Sequence, residues 1–133
     1  MALVVLDASV VIAFLDPDDG LHDPAVHALI AHQHDELVIP ASVHAEILVG
    51  PYRSGARAVA EVESFLADFS VRTEPLSAAI ARIAARLRSR SKSLRLPDAL
   101  VLATAAELSA DEVLTGDASW ARSGRRITVL RDD

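Results

Sequence analysis

The sequence contains no cysteine among its 133 residues. Disulfide bonds, thiolate zinc sites and a cysteine nucleophile are therefore excluded. Aromatic residues make up only 4% of the chain, which argues against an aromatic platform for stacking single-stranded nucleic acid. The chemistry of this protein must therefore come from oxygen- and nitrogen-bearing side chains.

Long apolar runs are also missing. The first apolar run ends at Asp7 and has no basic segment before it, so we expect neither a signal peptide nor a membrane span. The expected location is therefore cytoplasmic. The length and a hydrophobic fraction of 51% predict a single domain, residues 1–133, with one buried core.

The basic residues are almost all arginine, and nearly half of them lie in one stretch of the chain. The net charge of −6 alone argues against a nucleic-acid-binding protein, because phosphate affinity comes mainly from Lys and Arg. However, twelve of the 13 basic residues are Arg, which binds phosphate bidentately, and six of the 13 lie between residues 82 and 95. This stretch is either a solvated helix face or a surface for RNA phosphates or an acidic partner. The predicted RNA-binding group is Arg86, Arg90, Lys92 and Arg95.

Short apolar runs alternate with helical patterns along the whole chain. This alternation predicts a parallel sheet with helices on both faces. Gly50-Pro51 is expected to end one helix, and Leu76 is expected to face inward from another. The predicted strands are 2–6, 37–39, 70–73, 112–114 and 127–130, and the predicted helices are 10–15, 24–34, 41–49, 53–68, 76–90 and 99–108.

Four acidic residues each stand where an apolar, strand-like run gives way to a turn or helix. They are Asp7, Glu46, Asp98 and Asp117. A carboxylate in an apolar setting is costly unless it is paired or binds a metal. In open α/β sheets, sites form beyond the carboxyl ends of the strands, and Asp7 and Asp117 follow the first and fourth predicted strands. Gathered there, these acids would suit a hard divalent cation such as Mg²⁺ or Mn²⁺.

Each acid also has a purely structural alternative. Asp7 is a good N-cap for the helix that follows it. Asp98 fits the first turn of a helix, where it interacts with the helix dipole, and Asp117 fits an Asx turn. Glu46 lies inside a predicted helix with no cap to serve, so its alternative is a glutamate that faces solvent. These explanations account for the acids one at a time but not for their shared location.

Four segments carry these acids in a fixed order: residues 5–10, 39–48, 94–105 and 114–117. Each segment is a weak signal alone, whereas the ordered set covers nearly the whole chain and is specific. The set resembles the PIN-domain ribonucleases, and within them the VapC-type toxins of bacterial toxin–antitoxin pairs.

The resemblance implies a three-layer α/β/α fold with a mainly parallel sheet of four to five strands. It also implies Mg²⁺- or Mn²⁺-dependent cleavage of RNA, with Asp7, Glu46, Asp98 and Asp117 as the catalytic, metal-binding acids. Asp7 and Asp98 would be the strongest direct ligands, while Glu46 and Asp117 would complete the shell and orient water.

Two hydroxyl residues also match the resemblance. Ser9 and Thr115 stand at positions that support such a site by hydrogen bonding, although ordinary turn and helix-start hydroxyl bonds are an alternative for both.

The implied biological role is the toxin of a type II toxin–antitoxin system. Such a toxin would be a homodimer that pairs with a VapB-like antitoxin and acts on RNA.

Other functions remain open or are disfavoured by particular residues. A stand-alone PIN nuclease shares the same motifs. An inactive PIN-fold binding module would keep the fold and only dock a partner, but the presence of all four acids argues against it. A HAD-type phosphatase needs a second acid two residues after Asp7, where this chain has Ser9. A receiver-type phosphoacceptor domain needs a lysine near its end, but the only lysine is Lys92.

Two further residues lie near these motifs. His44 is two residues before Glu46, and on a helix their side chains point in different directions. We therefore expect His44 at the surface or in an interface. Trp120 is predicted to be a packing residue.

Overall fold

Five parallel strands form one sheet in the computed structural model, which describes residues 1–122 and 126–131. The order of the strands is β3-β2-β1-β4-β5, and every neighbouring pair is parallel. All five predicted strands occur, with ends that differ by one or two residues. The strands are β1 (Leu3–Leu6), β2 (Glu36–Pro40), β3 (Arg72–Glu74), β4 (Glu112–Thr115) and β5 (Ile127–Val129).

The strand order reverses at β1, which lies in the middle of the sheet. The chain first adds β2 and β3 on one side, with Val4 opposite Leu37, and then crosses to add β4 and β5 on the other, with Val5 opposite Val113. Ligand sites in open α/β sheets form outside the carboxyl ends of the strands at such a reversal. The carboxyl ends of β1 and β4 are therefore where a site is expected.

Helices connect successive strands and complete a three-layer α/β/α fold, as the sequence predicted. In the described ranges, no helix is both long enough and apolar enough to cross a membrane. A short 3₁₀ helix, Ala118–Arg122, follows β4. The α-helices are α1 (Ala8–Leu15), α2 (His22–Ala31), α3 (Ala41–Ser54), α4 (Ala56–Asp68), α5 (Ala78–Arg90) and α6 (Leu96–Glu107).

The expected end of α3 at Gly50-Pro51 is wrong. The helix continues through Pro51 to Ser54, and the break comes at Gly55, whose φ of 134° is a conformation that L-residues rarely adopt. The Gly55 N–H donates to the Pro51 carbonyl over 2.9 Å and closes the last turn. Because only Gly55 has the positive φ that reverses the chain, it ends α3, while Gly50 stays helical.

The main core is built around the central strands. Val4, Val5 and Leu6 of β1 are completely buried, as are Leu37 and Ile39 of β2. Full burial of one such side chain contributes roughly 1.5–3 kcal/mol relative to exposure. This rigid centre holds the strand ends, and whatever follows them, in fixed positions.

A second, smaller core joins α5 to α6. It contains Ile80 and Ala84 from α5 together with Ala99 and Ala103 from α6. The expectation that Leu76 also faces inward is wrong, because Leu76 precedes α5 and is 53% exposed. The two helices thus form a hairpin whose connection, residues 91–95, lies close to the start of α6.

Candidate active site

Asp7 and Asp117 lie at the same edge of the sheet. Asp7 directly follows β1, and Asp117 follows the neighbouring parallel strand β4 after one intervening residue, Gly116. The Asp7 N–H donates to the Leu114 carbonyl over 3.0 Å and continues the β1–β4 ladder to the edge. The two acids therefore flank the site at which the strand order reverses.

The carboxylate of Asp7 is held by two hydroxyl groups. Asp7 is only 9% exposed and occupies the N-cap position of α1, but its side chain makes no capping hydrogen bond. Its Oδ2 instead accepts hydrogen bonds from Ser9 Oγ at 2.6 Å and Thr115 Oγ1 at 3.0 Å. The capping alternative for Asp7 is therefore wrong, and the side chain is oriented by β4 as well as by its own turn.

The same hydroxyl groups bind the turn after β4. Ser9 Oγ accepts from the Gly116 N–H at 2.8 Å, and Thr115 Oγ1 accepts from the Asp117 N–H at 3.1 Å. The turn leaves little room: a Cβ on Gly116 would lie 3.0 Å from Leu21 Cδ1 and 3.3 Å from Ser9 Oγ. Sequence reasoning missed Gly116, because nothing in a single sequence shows that this backbone lies against Ser9.

Asp117 performs a local structural task at this edge. Its Oδ1 accepts hydrogen bonds from the Ser119 N–H at 2.9 Å and from Ser119 Oγ at 2.7 Å, at the start of the 3₁₀ helix. The Asx-turn alternative is thus present. Asp117 also raises the pKa of Asp98 electrostatically, so its charge is felt by that neighbouring acid.

Glu46 and Asp98 reach this edge from helices. Glu46 lies in the second turn of α3, which follows β2, and Asp98 lies in the first turn of α6. Partial loss of water raises the pKa of Glu46, and the charges of Asp7 and Asp98 raise it further. Loss of water and the charge of Asp7 likewise raise the pKa of Asp98. The four predicted acids therefore share one local field with an excess of negative charge.

Arg95 is the positive charge that opposes this excess. It occupies the N-cap position of α6, is exposed, and lowers the pKa of both Glu46 and Asp98. The other predicted RNA-binding residues, Arg86, Arg90 and Lys92, are exposed on α5 and the connection after it.

The exposure of Glu46 agrees with the alternative of a surface glutamate. An isolated surface glutamate, however, would not feel the charges of Asp7 and Asp98. Glu46 is thus a solvent-facing glutamate whose pKa is raised by loss of water and by the charges of Asp7 and Asp98. Its membership of a catalytic acid group stays a prediction.

The acid group fits an open metal site better than a closed one. Within residues 1–122 and 126–131, no group of three or more His, Asp or Glu side chains is arranged so that it could hold a metal ion. Mg²⁺ typically binds through one or two carboxylates and keeps water or substrate phosphate as its other ligands. The donors here are all hard carboxylate oxygens, and their surplus negative charge is what a divalent cation neutralises.

Two other expectations near the site had different outcomes. His44 is half-buried, and its Nδ1 lies 2.7 Å from Thr73 Oγ1 on β3, so it is neither free at the surface nor part of the acid group. The bond forms because α3 lies beside β3, which a single sequence does not reveal. Trp120 is 2% exposed and belongs to the main core, as predicted.

The model of the PIN domain family matches residues 4–125, a range that includes all four acids. The chain belongs to the PIN-domain family. No curated protein sequence matches it significantly. The family assignment agrees with the predicted resemblance and with the three-layer fold.

Solved structures of toxin–antitoxin proteins have the same fold. A toxin–antitoxin complex from Klebsiella pneumoniae aligns with a TM-score of 0.78 at 22% identity, covering 98% of this chain and 99% of that one. VapBC2 from Rickettsia felis, bound to a DNA fragment of its promoter, gives 0.80 at 15% identity over 97% and 99%. VapC20 from Mycobacterium tuberculosis, a toxin that cleaves the sarcin–ricin loop, gives 0.75 at 21% identity over 91% and 95%. This PIN domain is thus similar in fold to proteins of toxin–antitoxin systems.

Proposed function

We propose that this PIN-domain protein is a Mg²⁺- or Mn²⁺-dependent endoribonuclease and the toxin of a type II toxin–antitoxin system. The observation that carries the proposal is the electrostatically coupled group of Asp7, Glu46, Asp98 and Asp117 where the strand order reverses. A structural acid has no need of like-charged neighbours, since their mutual repulsion costs stability. Hydrolysis of a phosphodiester explains why such a group is kept.

Each acid has a defined part in the proposed reaction. Asp7 and Asp98 would hold the divalent cation, which when bound stabilises negative charge on the phosphodiester. Glu46, whose pKa is raised by loss of water and by its acidic neighbours, is a better proton acceptor for the attacking water than an ordinary glutamate. The water attacks phosphorus and the P–O3′ bond breaks, which leaves a 5′-phosphate and a 3′-hydroxyl. Ser9 and Thr115 keep Asp7 in place, and Asp117 completes the site.

The proposed partner is an antitoxin of the VapB type. An open groove of about 420 Å³ lies between the end of α1 and α4 and is lined by none of the four acids. Three aromatic rings line it, with centroids 5.1–5.3 Å apart, and Arg57 and Glu61 stand at its rim. An apolar groove with a charged rim suits the apolar face of a partner helix. The rings belong to Phe14, Phe65 and Phe69.

A homodimer of single PIN domains, residues 1–133, is also part of the proposal. Val49 and Tyr52 on α3 are 50% and 70% exposed, and Leu96 at the start of α6 is 51% exposed. Single exposed apolar side chains are common, whereas a contiguous apolar patch marks a surface that a protein partner covers. A second copy of this chain would cover them, and sedimentation would detect the dimer.

Cleavage assays separate this proposal from its alternatives. Purified protein should cleave RNA with Mg²⁺ or Mn²⁺ but not with EDTA, and Asp98→Asn should remove the activity. Expression should stop growth, Asp7→Ala should relieve that arrest, and co-expression of a cognate antitoxin of the VapB type should also relieve it. Cleavage without growth arrest would indicate a stand-alone nuclease. No cleavage with any divalent ion would indicate a binding module.

A further inference from the structure

Three arginines lie along one side of α5. Arg82, Arg86 and Arg90 are four residues apart, so they fall within about 80° of the helix circumference. The opposite side of the helix buries Ile80 and Ala84 against α6. These three arginines, called here the α5 arginine row, are therefore exposed to solvent on a helix whose buried face anchors it to α6.

The α5 arginine row has no acidic residue within its own helix to pair with. Helix α5 contains no Asp or Glu, and like charges four residues apart destabilise a helix. Among the residues that the structure describes, ion pairs involve Arg57, Arg72 and His32 but none of the row. Arg88 is different, because it lies on the other flank of the helix and its Nη1 donates to the Ser91 carbonyl at the helix end. The repulsion among these arginines is not offset by an acid in the same helix. It therefore points to an anion outside this chain as their ligand.

The α5 arginine row leads to the acid group. After Arg90 the chain makes a short connection with exposed Lys92, and then Arg95 begins α6 three residues before Asp98. Arg95 is close enough to lower the pKa of Asp98 and Glu46. Along the chain, basic side chains therefore follow one another from the middle of α5 to the start of α6, where Asp98 lies.

We propose that the α5 arginine row, continued by Lys92 and Arg95, binds the phosphate backbone of single-stranded RNA and guides it into the acid group. The proposal rests on the proposed ribonuclease function and adds the path of the substrate. Arginine suits this task because its planar guanidinium binds phosphate bidentately. An acidic protein segment is the competing ligand, but it would meet the repulsive carboxylates of Asp98 and Glu46 at the end of the row.

The row should bind RNA without regard to its sequence. The aromatic rings in the described structure lie elsewhere: three line the α1–α4 groove, Trp120 is buried, and Tyr52 is on α3. Contacts from guanidinium groups to phosphates fix the position of the strand and carry no base information. Sequence choice by this enzyme must then come from other parts of the site.

The test measures RNA binding in EDTA as a function of salt. The probe is a fluorescently labelled, random-sequence single-stranded RNA, checked to be intact, with Arg82→Gln/Arg86→Gln/Arg90→Gln as the variant. Each phosphate contact contributes about 0.7 to the slope of log K against log salt for a single strand, so the slope should fall in magnitude by about 2. Affinity at physiological salt should fall on the order of tenfold or more, equally for unrelated RNA sequences.

A matched variant removes the same charge elsewhere. Arg53→Gln/Arg57→Gln/Arg131→Gln also replaces three exposed arginines, and its salt slope should stay near that of the wild type. Replacing the row by lysine should keep the slope, because the charges remain. Circular dichroism confirms that each variant is folded.

Three results would overturn the proposal. Equal loss of RNA affinity in both triple variants would show a general charge effect, and no loss in either would show a solvated face. Polyglutamate of equal length that binds as tightly as RNA would assign the row to an acidic protein partner. Because the assay excludes metal and measures no cleavage, its outcome is independent of whether the protein proves to be a nuclease.

Discussion

Thr115 Oγ1 donates a hydrogen bond to Asp7 Oδ2 over 3.0 Å and thereby joins the end of β4 to the acid that follows β1. Thr115 is fully buried, so water cannot replace this donor. Thr115 Oγ1 also accepts a hydrogen bond from the Asp117 N–H. One threonine thus positions one acid by its side chain and another by its backbone.

Thr115→Val should lower the rate of RNA cleavage by more than its loss of stability alone would explain. Valine has nearly the shape of threonine but leaves the Asp117 N–H without its acceptor and Asp7 with one hydroxyl donor fewer. Loss of a buried hydrogen-bond partner costs about 1–3 kcal/mol in the free energy of unfolding. Urea denaturation and cleavage rates measure the two effects. Thr128→Val, at an exposed position on β5, is the control, and a fall in cleavage no larger than its own would show that Thr115 does not position the acids.

Asp98→Asn should stabilise the metal-free protein at neutral pH. The pKa of Asp98 is raised in the folded state by loss of water and by Asp7, so ionisation of this carboxyl opposes folding. Its unfavourable effect is absent below the unfolded pKa and grows as pH rises through the folded pKa. The melting temperature in EDTA should therefore be higher for Asp98→Asn than for the wild type at neutral pH and similar in acid.

Added Mg²⁺ or Mn²⁺ should reverse that ranking. A ligand that binds only the folded state raises stability by mass action, and Asp98→Asn lacks one of the two strongest proposed ligands. The wild type should gain melting temperature with metal, while the variant gains little. Equal gains in both proteins would remove Asp98 from the proposed metal ligands.

Gly116→Ala should disturb the site through Ser9. The new Cβ would lie 3.0 Å from Leu21 Cδ1, which is the flexible end of a side chain and can move, and 3.3 Å from Ser9 Oγ, which is tied to Asp7. We expect cleavage to fall several-fold with a small loss of stability of about 1 kcal/mol, typical of overpacking. Gly20→Ala, with no atom within 4 Å of its Cβ, is the matched control for both assays. Unchanged cleavage by Gly116→Ala would mean that the turn has room to adjust.

The sequence predicted the strands and the shared edge because these follow from periodicity and from the geometry of parallel sheets. Asp7 and Asp117 could be placed at one edge since each follows a buried strand. The contacts that hold them could not be derived in the same way. Ser9 binds the Gly116 N–H across 107 residues of chain, and the half-buried His44 bonds to Thr73 on a strand that follows another helix. Such contacts depend on how the elements pack, which neither periodicity nor local propensity encodes. The same limit explains Gly55, where a backbone angle rather than the Gly50-Pro51 pair ends α3.

Asp35→Asn should affect stability alone, since Asp35 lies at the opposite, amino-terminal edge of the sheet. Its Oδ1 accepts from the Ala2 N–H at 3.0 Å, and its Oδ2 lies 2.8 Å from His32 Nδ1. The hydrogen bond from Ala2 lowers the pKa of Asp35 most, and the contact with His32 lowers it further. The ionised form of Asp35 therefore stabilises the fold.

This stabilisation is present above the unfolded pKa of Asp35 and is lost as pH falls through the folded one. Asp35→Asn should therefore melt below the wild type at neutral pH, and the difference should vanish in acid. Asp68→Asn, at an exposed position on α4, should melt like the wild type throughout. Cleavage rates below the melting temperature should be equal for all three proteins, because neither substitution contacts Asp7 or its hydroxyl partners. A loss of cleavage in Asp35→Asn would show that the two edges of the sheet are coupled through the sheet, in which Val4, Val5 and Leu6 of β1 are completely buried.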